Sequence, residues 1–183
     1  MPQLVTPRLI LRPFAAADWD AVHTLLADPL TTRFMHFAEL TEDEGREWFD
    51  GCVANAQQPD VNPRFWAIAR RDSSAVIGWL GIGTSDEPDA AAGERSFGYL
   101  LDHRWWNQGY MTEALRAVLA DEFGPRGTPV VSATCDVTNP ASARVMEKAG
   151  LRRERTAFET DAAGNRTQHH HYAITKTEYD ALN

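Results

Sequence analysis

The segment 98–115 constrains the fold more than any other part of the chain, because a strand pattern changes into a helix pattern across one short polar turn. Apolar and aromatic residues typical of a strand come first: Phe97, Tyr99, Leu100 and Leu101. After the turn, apolar residues recur with the spacing of one helix face: Met111, Ala114, Leu115, Val118 and Leu119. A tight strand-to-helix turn leaves the first helical N–H groups without acceptors and places the positive end of the helix dipole there. The segment therefore predicts a phosphate-binding site.

The rest of the chain alternates strand and helix patterns. Strands are predicted over 8–12, 65–69, 76–82, 130–135, 151–160 and 168–175. Helices are predicted over 18–26, from a capping box at 41–44, over 110–123, from Asn139 to Gly150, and as a short turn over 177–182. The segment 161–165 is predicted as a hairpin turn. This order predicts an α+β fold, a mixed and mostly antiparallel twisted sheet of about seven strands flanked by about four helices.

Composition limits the classes of function. The 183 residues predict one domain, 1–183, and 43% hydrophobic content is enough for a buried core. A net charge of −8 argues against nucleic acid and mildly favours cationic partners, although such charge also simply keeps a protein soluble. The two cysteines are not spaced as metal ligands, and the sequence has no leader and no apolar run long enough to cross a membrane. These features predict a cytoplasmic protein. His169 and His171 share a strand face but lack a third ligand in the pattern, so no metal is expected.

Three sequence blocks together resemble a known family. The run Trp-Asn-Gln-Gly-Tyr-Met-Thr-Glu-Ala at 106–114 resembles the acetyl-CoA pyrophosphate loop of the GNAT acetyltransferases, and most closely the Rim-type protein N-acetyltransferases. The run Thr-Pro-Arg-Leu-Ile-Leu-Arg-Pro at 6–13 is similar to that branch's opening strand, and 139–151 is similar to its second cofactor motif. The blocks stand in the family's order and span nearly the whole chain. The resemblance implies the layered α/β/α GNAT fold.

The resemblance implies acetyl-CoA as co-substrate, no metal, and direct attack of a primary amine on the thioester. The sequence departs from the family pattern at Met111, where the loop usually has Gly or Ala. A strand edge near Leu100 would bind the pantetheine arm, with one backbone N–H polarising the thioester carbonyl. The implied cofactor-binding residues are Leu100, Leu101, Trp106, Asn107, Gln108, Gly109, Tyr110, Met111, Thr112, Asn139, Ser142 and Arg144.

The resemblance also suggests catalytic and acceptor residues. Ser142 is the candidate proton donor to the leaving thiolate, and Asp161 the candidate base, with Glu159 and Glu94 as further candidates. A turn aspartate and a solvated strand glutamate are the structural alternatives for Asp161 and Glu159. The acceptor cleft would be lined by Phe34, His36, Phe37 and Trp66, for which core packing is the alternative.

Two classes of function stay open at this stage. The first is an N-acetyltransferase, whose favoured acceptor is a protein N-terminal α-amine, with a small cationic amine such as an antibiotic or polyamine as the runner-up. The second is a module that binds acyl-CoA without catalysis, which the larger Met111 side chain keeps open. Neither nucleic acid nor membrane is expected as a partner, and the protein is expected to be a monomer or a homodimer.

Overall fold

The computed structural model describes residues 1–35, 41–56, 58, 61–160 and 166–182. The strands are β1 (Leu4–Val5), β2 (Leu9–Pro13), β3 (Arg64–Arg70), β4 (Val76–Thr84), β5 (Arg95–Leu101), β6 (Val130–Asp136), β7 (Arg152–Thr160) and β8 (Arg166–Thr175). The helices are α1 (Trp19–Ala27), α2 (Pro29–Thr32), α3 (Glu42–Asn55), α4 (Tyr110–Phe123), α5 (Pro140–Ala149) and α6 (Lys176–Leu182). Single 3₁₀ turns precede α1 and follow β5, at Ala16–Asp18 and His103–Trp105.

The strands form one sheet in the order β1-β2-β3-β4-β5-β6-β8-β7. Every neighbouring pair is antiparallel except β5 and β6, which are parallel. The predicted fold class is confirmed. The described residues contain eight strands and six helices rather than about seven and four, because β1 has two residues and α2 one turn, too short for a periodic pattern to reveal.

Two apolar clusters cover opposite faces of the sheet. One contains Leu115 and Met146 of α4 and α5 with the inward side chains of β2 to β6 and β8. The other contains Val22 of α1 and Phe49 of α3, packed on Trp79 and Leu100. The helices and the sheet therefore form three layers, with α4 and α5 on one face and α1 and α3 on the other.

The two halves of the sheet separate between β5 and β6. Only two residue pairs join these strands, Arg95 with Val131 and Ser96 with Ser132. Beyond them β5 continues to Leu101 and β6 to Asp136 without further pairing to each other. The strands thus diverge into a V-shaped gap that opens toward the start of α4, and the remaining outward backbone groups of β5 face this gap.

Strand alternation determines which side chains reach each side of the gap. Residues opposite each other in a ladder share a face. Phe97, Tyr99 and Cys135 therefore face α4 and α5, which we call the cofactor face. The other side, facing α1 and α3, is the acceptor face; it receives the alternate residues Ser96, Gly98, Leu100, Ser132, Thr134, His169 and His171.

Candidate active site

The turn before α4 has the geometry of an anion site. Gly109 is the residue before the helix and has φ +80°, and Asn107 also has a positive φ of 58°. The first intrahelical donor is Glu113 N–H, which bonds to Gly109 O at 3.0 Å. The amides of Tyr110, Met111 and Thr112 precede it, so helix geometry gives them no intrahelical acceptor. The turn is exposed and a fourteen-residue helix follows it, as the sequence predicted.

A side-chain clamp fixes this turn against the beginning of the chain. Glu113 Oε1 accepts from Thr6 Oγ1 at 2.6 Å and from Arg8 N–H at 2.9 Å, and Arg8 Nε lies 2.6 Å from Glu113 Oε2. Arg8 also donates to Gln108 O at 3.0 Å and stacks over the Tyr110 ring. Burial opposes ionisation of Glu113, but these hydrogen bonds outweigh it and hold the pKa of the carboxyl below its ordinary value.

Met111 does not obstruct the turn. Its side chain is 3% exposed and packs in the apolar cluster beneath α4. Only its backbone amide is directed to the helix start, and backbone amides are the groups that bind phosphate at such sites. A side chain larger than the Gly or Ala of the family pattern is therefore accommodated in the core and leaves the turn open.

The edge of β5 offers backbone groups to the gap at alternate residues. Asp102 N–H bonds to Ile77 O of β4, so in an antiparallel ladder Leu100 also turns its N–H and C=O toward β4. Tyr99 and Leu101 therefore turn theirs toward the gap. Leu101 O already accepts from Trp106 Nε1 at 2.7 Å. Of the two predicted edge residues, Leu101 has the orientation for backbone contact, and Leu100 contributes its side chain to the core.

A hydroxyl pair crosses the cofactor face of the gap. Asn139 caps α5 by accepting from Ser142 N–H at 3.1 Å, and Pro140 occupies the first helical position. Ser142 Oγ lies 2.8 Å from Tyr99 Oη, so α5 and β5 meet at this bond. Burial raises the pKa of Tyr99 above its ordinary value and that of Cys135 to about 11. Both groups therefore remain protonated near neutral pH.

One cavity of about 600 Å³ joins these features. It passes through the gap, because its lining includes Tyr99 and Ser142 from the cofactor face and Gly98 and Thr134 from the acceptor face. A side chain built at Gly98 would meet no atom within 4 Å, so this glycine borders open space. The predicted residues on the cavity wall are Leu100, Leu101, Trp106, Asn107, Gly109, Tyr110, Met111, Thr112, Asn139, Ser142, Arg144 and Phe34.

Three of the remaining predicted residues have different positions. Gln108 lies outside the cavity lining; its carbonyl accepts from Arg8 and its side-chain amide donates to Arg104 O at 3.1 Å. Trp66 has no exposed surface, because its side chain lies on the cofactor face of β3 and packs in the apolar cluster beneath α4. The acceptor-lining prediction for Trp66 is therefore replaced by its core-packing alternative. Glu94 accepts from Ser132 Oγ at 2.6 Å and from Ala91 N–H, which gives it a structural role at the closed end of the gap. His36, Phe37 and Asp161 lie outside the described residues.

A second polar network joins α2 and the residues after it, on the acceptor face, to the turn that follows β5. Asp28 caps α2, which carries Thr31 and leads to Phe34 and Met35 on the cavity wall. Asp28 Oδ2 lies 2.7 Å from His103 Nδ1. The hydrogen bond from Thr31, with burial opposing and His103 assisting, lowers the pKa of Asp28 to about 2. This network connects α2 to the 3₁₀ turn His103–Trp105, which precedes α4.

A cluster of histidine and carboxylate groups lies on the acceptor face of β7 and β8. Glu159 Oε2 lies 3.1 Å from His169 Nδ1, and Glu159 Oε1 lies 3.0 Å from His171 Nε2. His171 Nδ1 faces Glu87 Oε2 at 3.8 Å. Glu87, Glu159 and His171 each offer one atom of a kind that binds metal ions, and these atoms all lie within 4.8 Å of one another. Arg155 also pairs with Glu87 at 3.1 Å, and the expectation that no metal binds stays a prediction.

Sequence reasoning missed Tyr99 and Glu87 as members of the site. The sequence pattern indicates only strand packing for Tyr99, although alternation along β5 places it on the same face as Ser142. No local pattern identifies Glu87, because it lies in the loop between β4 and β5 and approaches His171 only through the fold.

None of the helices in the described part of the chain is long and apolar enough to cross a membrane. Residues 8–152, most of the chain, match the family model described as an acetyltransferase (GNAT) domain. The chain is 28% identical over 180 residues to the uncharacterized N-acetyltransferase YnaD of Bacillus subtilis, covering 97% of this chain and 99% of that protein.

Solved structures show the same fold. A GNAT-family acetyltransferase from Bacillus anthracis superimposes with a TM-score of 0.82 at 24% identity, covering 96% of this chain and 99% of that one. A Vibrio cholerae protein described as a "putative ribosomal-protein-serine acetyltransferase" has a TM-score of 0.77 at 20% identity, covering 95% and 97%. The family match, the fold and the site agree: the chain belongs to the GNAT family of N-acetyltransferases, for which acetyl-CoA is the implied co-substrate.

Proposed function

We propose that this acyltransferase moves acetyl from acetyl-CoA to a protein N-terminal α-amine by direct attack, as a Rim-type enzyme does. The observation that carries the proposal is the cavity that passes through the sheet between β5 and β6. One molecule can enter it from the cofactor face and a second from the acceptor face, so a thioester and an amine meet without a covalent enzyme intermediate.

The cofactor face supplies the groups that acetyl-CoA requires. The free amides of Tyr110, Met111 and Thr112 and the dipole of α4 suit the pyrophosphate. The gap-facing backbone of Tyr99 and Leu101 suits the amide groups of pantetheine, as an added strand would. Arg144 and Lys148 are exposed at the cavity wall and suit a further CoA phosphate. These contacts exist in substrate and product alike, so they supply binding and orient the thioester, but they do not stabilise the transition state selectively.

Proton transfer to the leaving thiolate falls to the Ser142–Tyr99 pair. Ser142 Oγ and Tyr99 Oη lie 2.8 Å apart on the cofactor face, where the sulfur would lie. The raised pKa of Tyr99 keeps its hydroxyl protonated and able to replace a proton that Ser142 donates. A general acid is effective when it lies within hydrogen-bond reach of the developing charge. A gap-facing N–H of β5 would polarise the thioester carbonyl.

The acceptor assignment rests on protonation chemistry and on the sequence resemblance. A protein α-amine has a pKa of about 7.7 to 8.0, so roughly a tenth or more is neutral at physiological pH, whereas a lysine amine at about 10.4 is almost entirely protonated. Phe34 and Met35 provide an apolar wall for the first side chain of a peptide. The buried position of Met111 removes the main reason to prefer a non-catalytic acyl-CoA-binding module.

A small cationic amine is the second candidate acceptor. It is favoured by the carboxylates on the acceptor face, Glu87 and Glu159, and by the net charge of −8. An acidic surface attracts polyamines or aminoglycoside antibiotics by long-range electrostatics, and that attraction weakens as salt is added.

Thiol release from acetyl-CoA with a panel of acceptors tests both candidates. The panel contains peptides with free α-amines, the same peptides with blocked α-amines, spermidine and an aminoglycoside. We expect turnover with free α-amines and a mass increase of one acetyl group at the peptide N-terminus. Turnover with the cationic small molecules alone would favour the second candidate. Micromolar binding of CoA without turnover of any acceptor would identify a binding module.

A further inference from the structure

We propose that His171 is a proton relay of the acceptor side, carrying the proton that the amine loses from Glu159 to Glu87 at the protein surface. The inference rests on the proposed function, since it concerns the amine that attacks the thioester. It identifies a route for the proton on the side of the sheet opposite the Ser142–Tyr99 pair, where those hydroxyls do not reach.

Strand register places His171 one strand away from the cavity wall, and the cavity lining itself contains none of His171, Glu159 and Glu87. His171 of β8 is paired with Thr134 of β6, and Thr134 lines the cavity on its acceptor face. Directly opposed residues in an antiparallel ladder have Cα atoms about 4.5 to 5.5 Å apart and share a face. His169 is paired with Asp136, the next cavity residue on that face. The histidines therefore stand one strand away from the space that an approaching amine must occupy.

Glu159 and His171 lie close enough to share a proton, although the Glu159 side chain is 35% exposed. His171 is 7% exposed, and its Nε2 lies 3.0 Å from Glu159 Oε1. The two atoms lie off the line of a hydrogen bond, and within the described ranges neither has a hydrogen-bond partner. Buried polar atoms without partners are costly unless a ligand, water or proton serves them. A proton shared between these atoms, or an ammonium group beside them, meets that need.

The other end of the relay leads outward. His171 Nδ1 faces Glu87 Oε2 at 3.8 Å, a distance that a small rotation of either side chain or one water closes. Glu87 is partly exposed in the loop between β4 and β5 and is held there by Arg155, which also pairs with Asp89 at 2.8 Å. Each imidazole nitrogen thus faces one carboxylate, which is the arrangement in which an imidazole takes a proton at one nitrogen and releases another.

The remaining charged groups around His171 are committed elsewhere. Asp136 accepts from Thr138 N–H and from its hydroxyl, and Glu94 accepts from Ser132 and the Ala91 amide. His169 Nε2 lies 2.9 Å from Thr167 Oγ1, so this ring orients the second oxygen of Glu159. His171 is therefore the imidazole with a carboxylate at both nitrogens.

The proton balance of the reaction is then complete. The protonated amine gives one proton to the Glu159 carboxylate, which passes it to His171 Nε2, and His171 releases its Nδ1 proton to Glu87 and water. The neutral amine attacks the thioester carbonyl, the C–S bond breaks, and Ser142 and Tyr99 protonate the thiolate. The attacking nitrogen loses its second proton to water, and water returns one proton to the pair, which restores both hydroxyls. Ammonium and acetyl-CoA become acetamide, CoA thiol and one proton released to solvent.

The test compares His171→Gln with His170→Gln across pH, using an N-terminal peptide that the wild type acetylates. His170 is the matched control, because it is the next residue on β8 but faces the opposite side and contacts Thr156. With His171→Gln we expect kcat/KM to fall about 10²-fold below the α-amine pKa of about 7.7 to 8.0. The loss should shrink to a few-fold above that pKa, because the amine is then already neutral. His170→Gln should retain the wild-type profile.

A loss that is the same at every pH would overturn the relay and leave only a structural role for His171. Glu87→Gln provides a second variant in case His171→Gln does not fold; we expect a smaller loss with the same pH trend, and an unchanged profile would count against the route. Absence of turnover by the wild type with every amine would instead refute the proposed function, so the two failures are distinguishable.

Discussion

The hydroxyl pair on the cofactor face yields the most direct test of the chemistry. Removing the Ser142 hydroxyl breaks a 2.8 Å hydrogen bond and leaves Tyr99 Oη to water in the cavity. A neutral hydrogen bond in such a place is worth about 1 kcal/mol, which shifts the melting temperature of a chain of this size by only about 2 to 4 °C. If the pair donates a proton to the thiolate, kcat should fall by at least about 10²-fold, equivalent to about 2.7 kcal/mol.

The assay is a double-mutant cycle with Ser142→Ala, Tyr99→Phe and the double variant. Each is measured by thiol release under saturating acetyl-CoA and by thermal melting. Because the two hydroxyls act as one donor, we expect the double variant to be about as slow as Ser142→Ala alone. Thr138→Ala is the matched control: it removes a hydroxyl that bonds to Asp136 at 2.6 Å, near the start of α5 but outside the cavity lining. Its kcat should stay within about twofold of wild type.

Two outcomes would refute this reasoning. If Ser142→Ala loses no more than about fivefold in kcat, the loss is that of an ordinary hydrogen bond and water protonates the thiolate. If the losses of the single variants multiply in the double variant, the hydroxyls contribute independently and Tyr99 does not act through Ser142.

Four further predictions follow from other features. Gly109→Ala places a residue with a Cβ at φ +80°, where the only atom of the described residues within 4 Å of that Cβ belongs to the Arg8 guanidinium, at 3.5 Å. The cost is therefore backbone strain of about 1 to 2 kcal/mol. We expect the strain to weaken CoA binding, measured by calorimetry, roughly tenfold. Gly98→Leu places a side chain in the open space on the acceptor face of the cavity, where the amine would lie. It should therefore abolish amine turnover while CoA binding is retained. Because the folded pKa of Asp28, about 2, lies below the unfolded value of about 3.9, its contribution to stability is complete above the unfolded value. It is lost as pH falls toward 2, so the difference in melting temperature between wild type and Asp28→Asn should shrink over that interval. Dialysis against EDTA should leave kcat unchanged, since the family resemblance implies a reaction without a metal, whereas a loss of activity would point to the cluster of Glu87, Glu159 and His171.

The fold was predictable because its signals are local. The capping box at Thr41 and Glu44, the Asn139 cap with Pro140 and the positive φ of Gly109 are each encoded within a few residues and are present. Period and capping mark where elements begin and end, but they do not give the order of strands in the sheet. The family resemblance implied a mixed, mostly antiparallel sheet, and the order of the strands is seen only in the structure.

The site was predictable only where its residues belong to one contiguous segment. The start of α4 and the start of α5 are such segments. Trp66 failed as an acceptor residue because an alternating strand pattern does not say which face of the sheet will be covered by which helix. Tyr99 and Glu87 contact residues 43 positions and 84 positions away, Ser142 and His171. Contacts of that length depend on the whole sheet, and one sequence without its fold does not show them.

The divergence of β5 and β6 makes the co-substrate a structural component as well as a reactant. With only two pairs joining the halves of the sheet, a pantetheine arm lying along β5 would act as an extra half-strand and tie the halves together. Any molecule that binds the folded state alone raises its stability in proportion to the logarithm of its concentration over Kd. Free CoA presents the same arm as acetyl-CoA, so it should protect the enzyme against heat just as well.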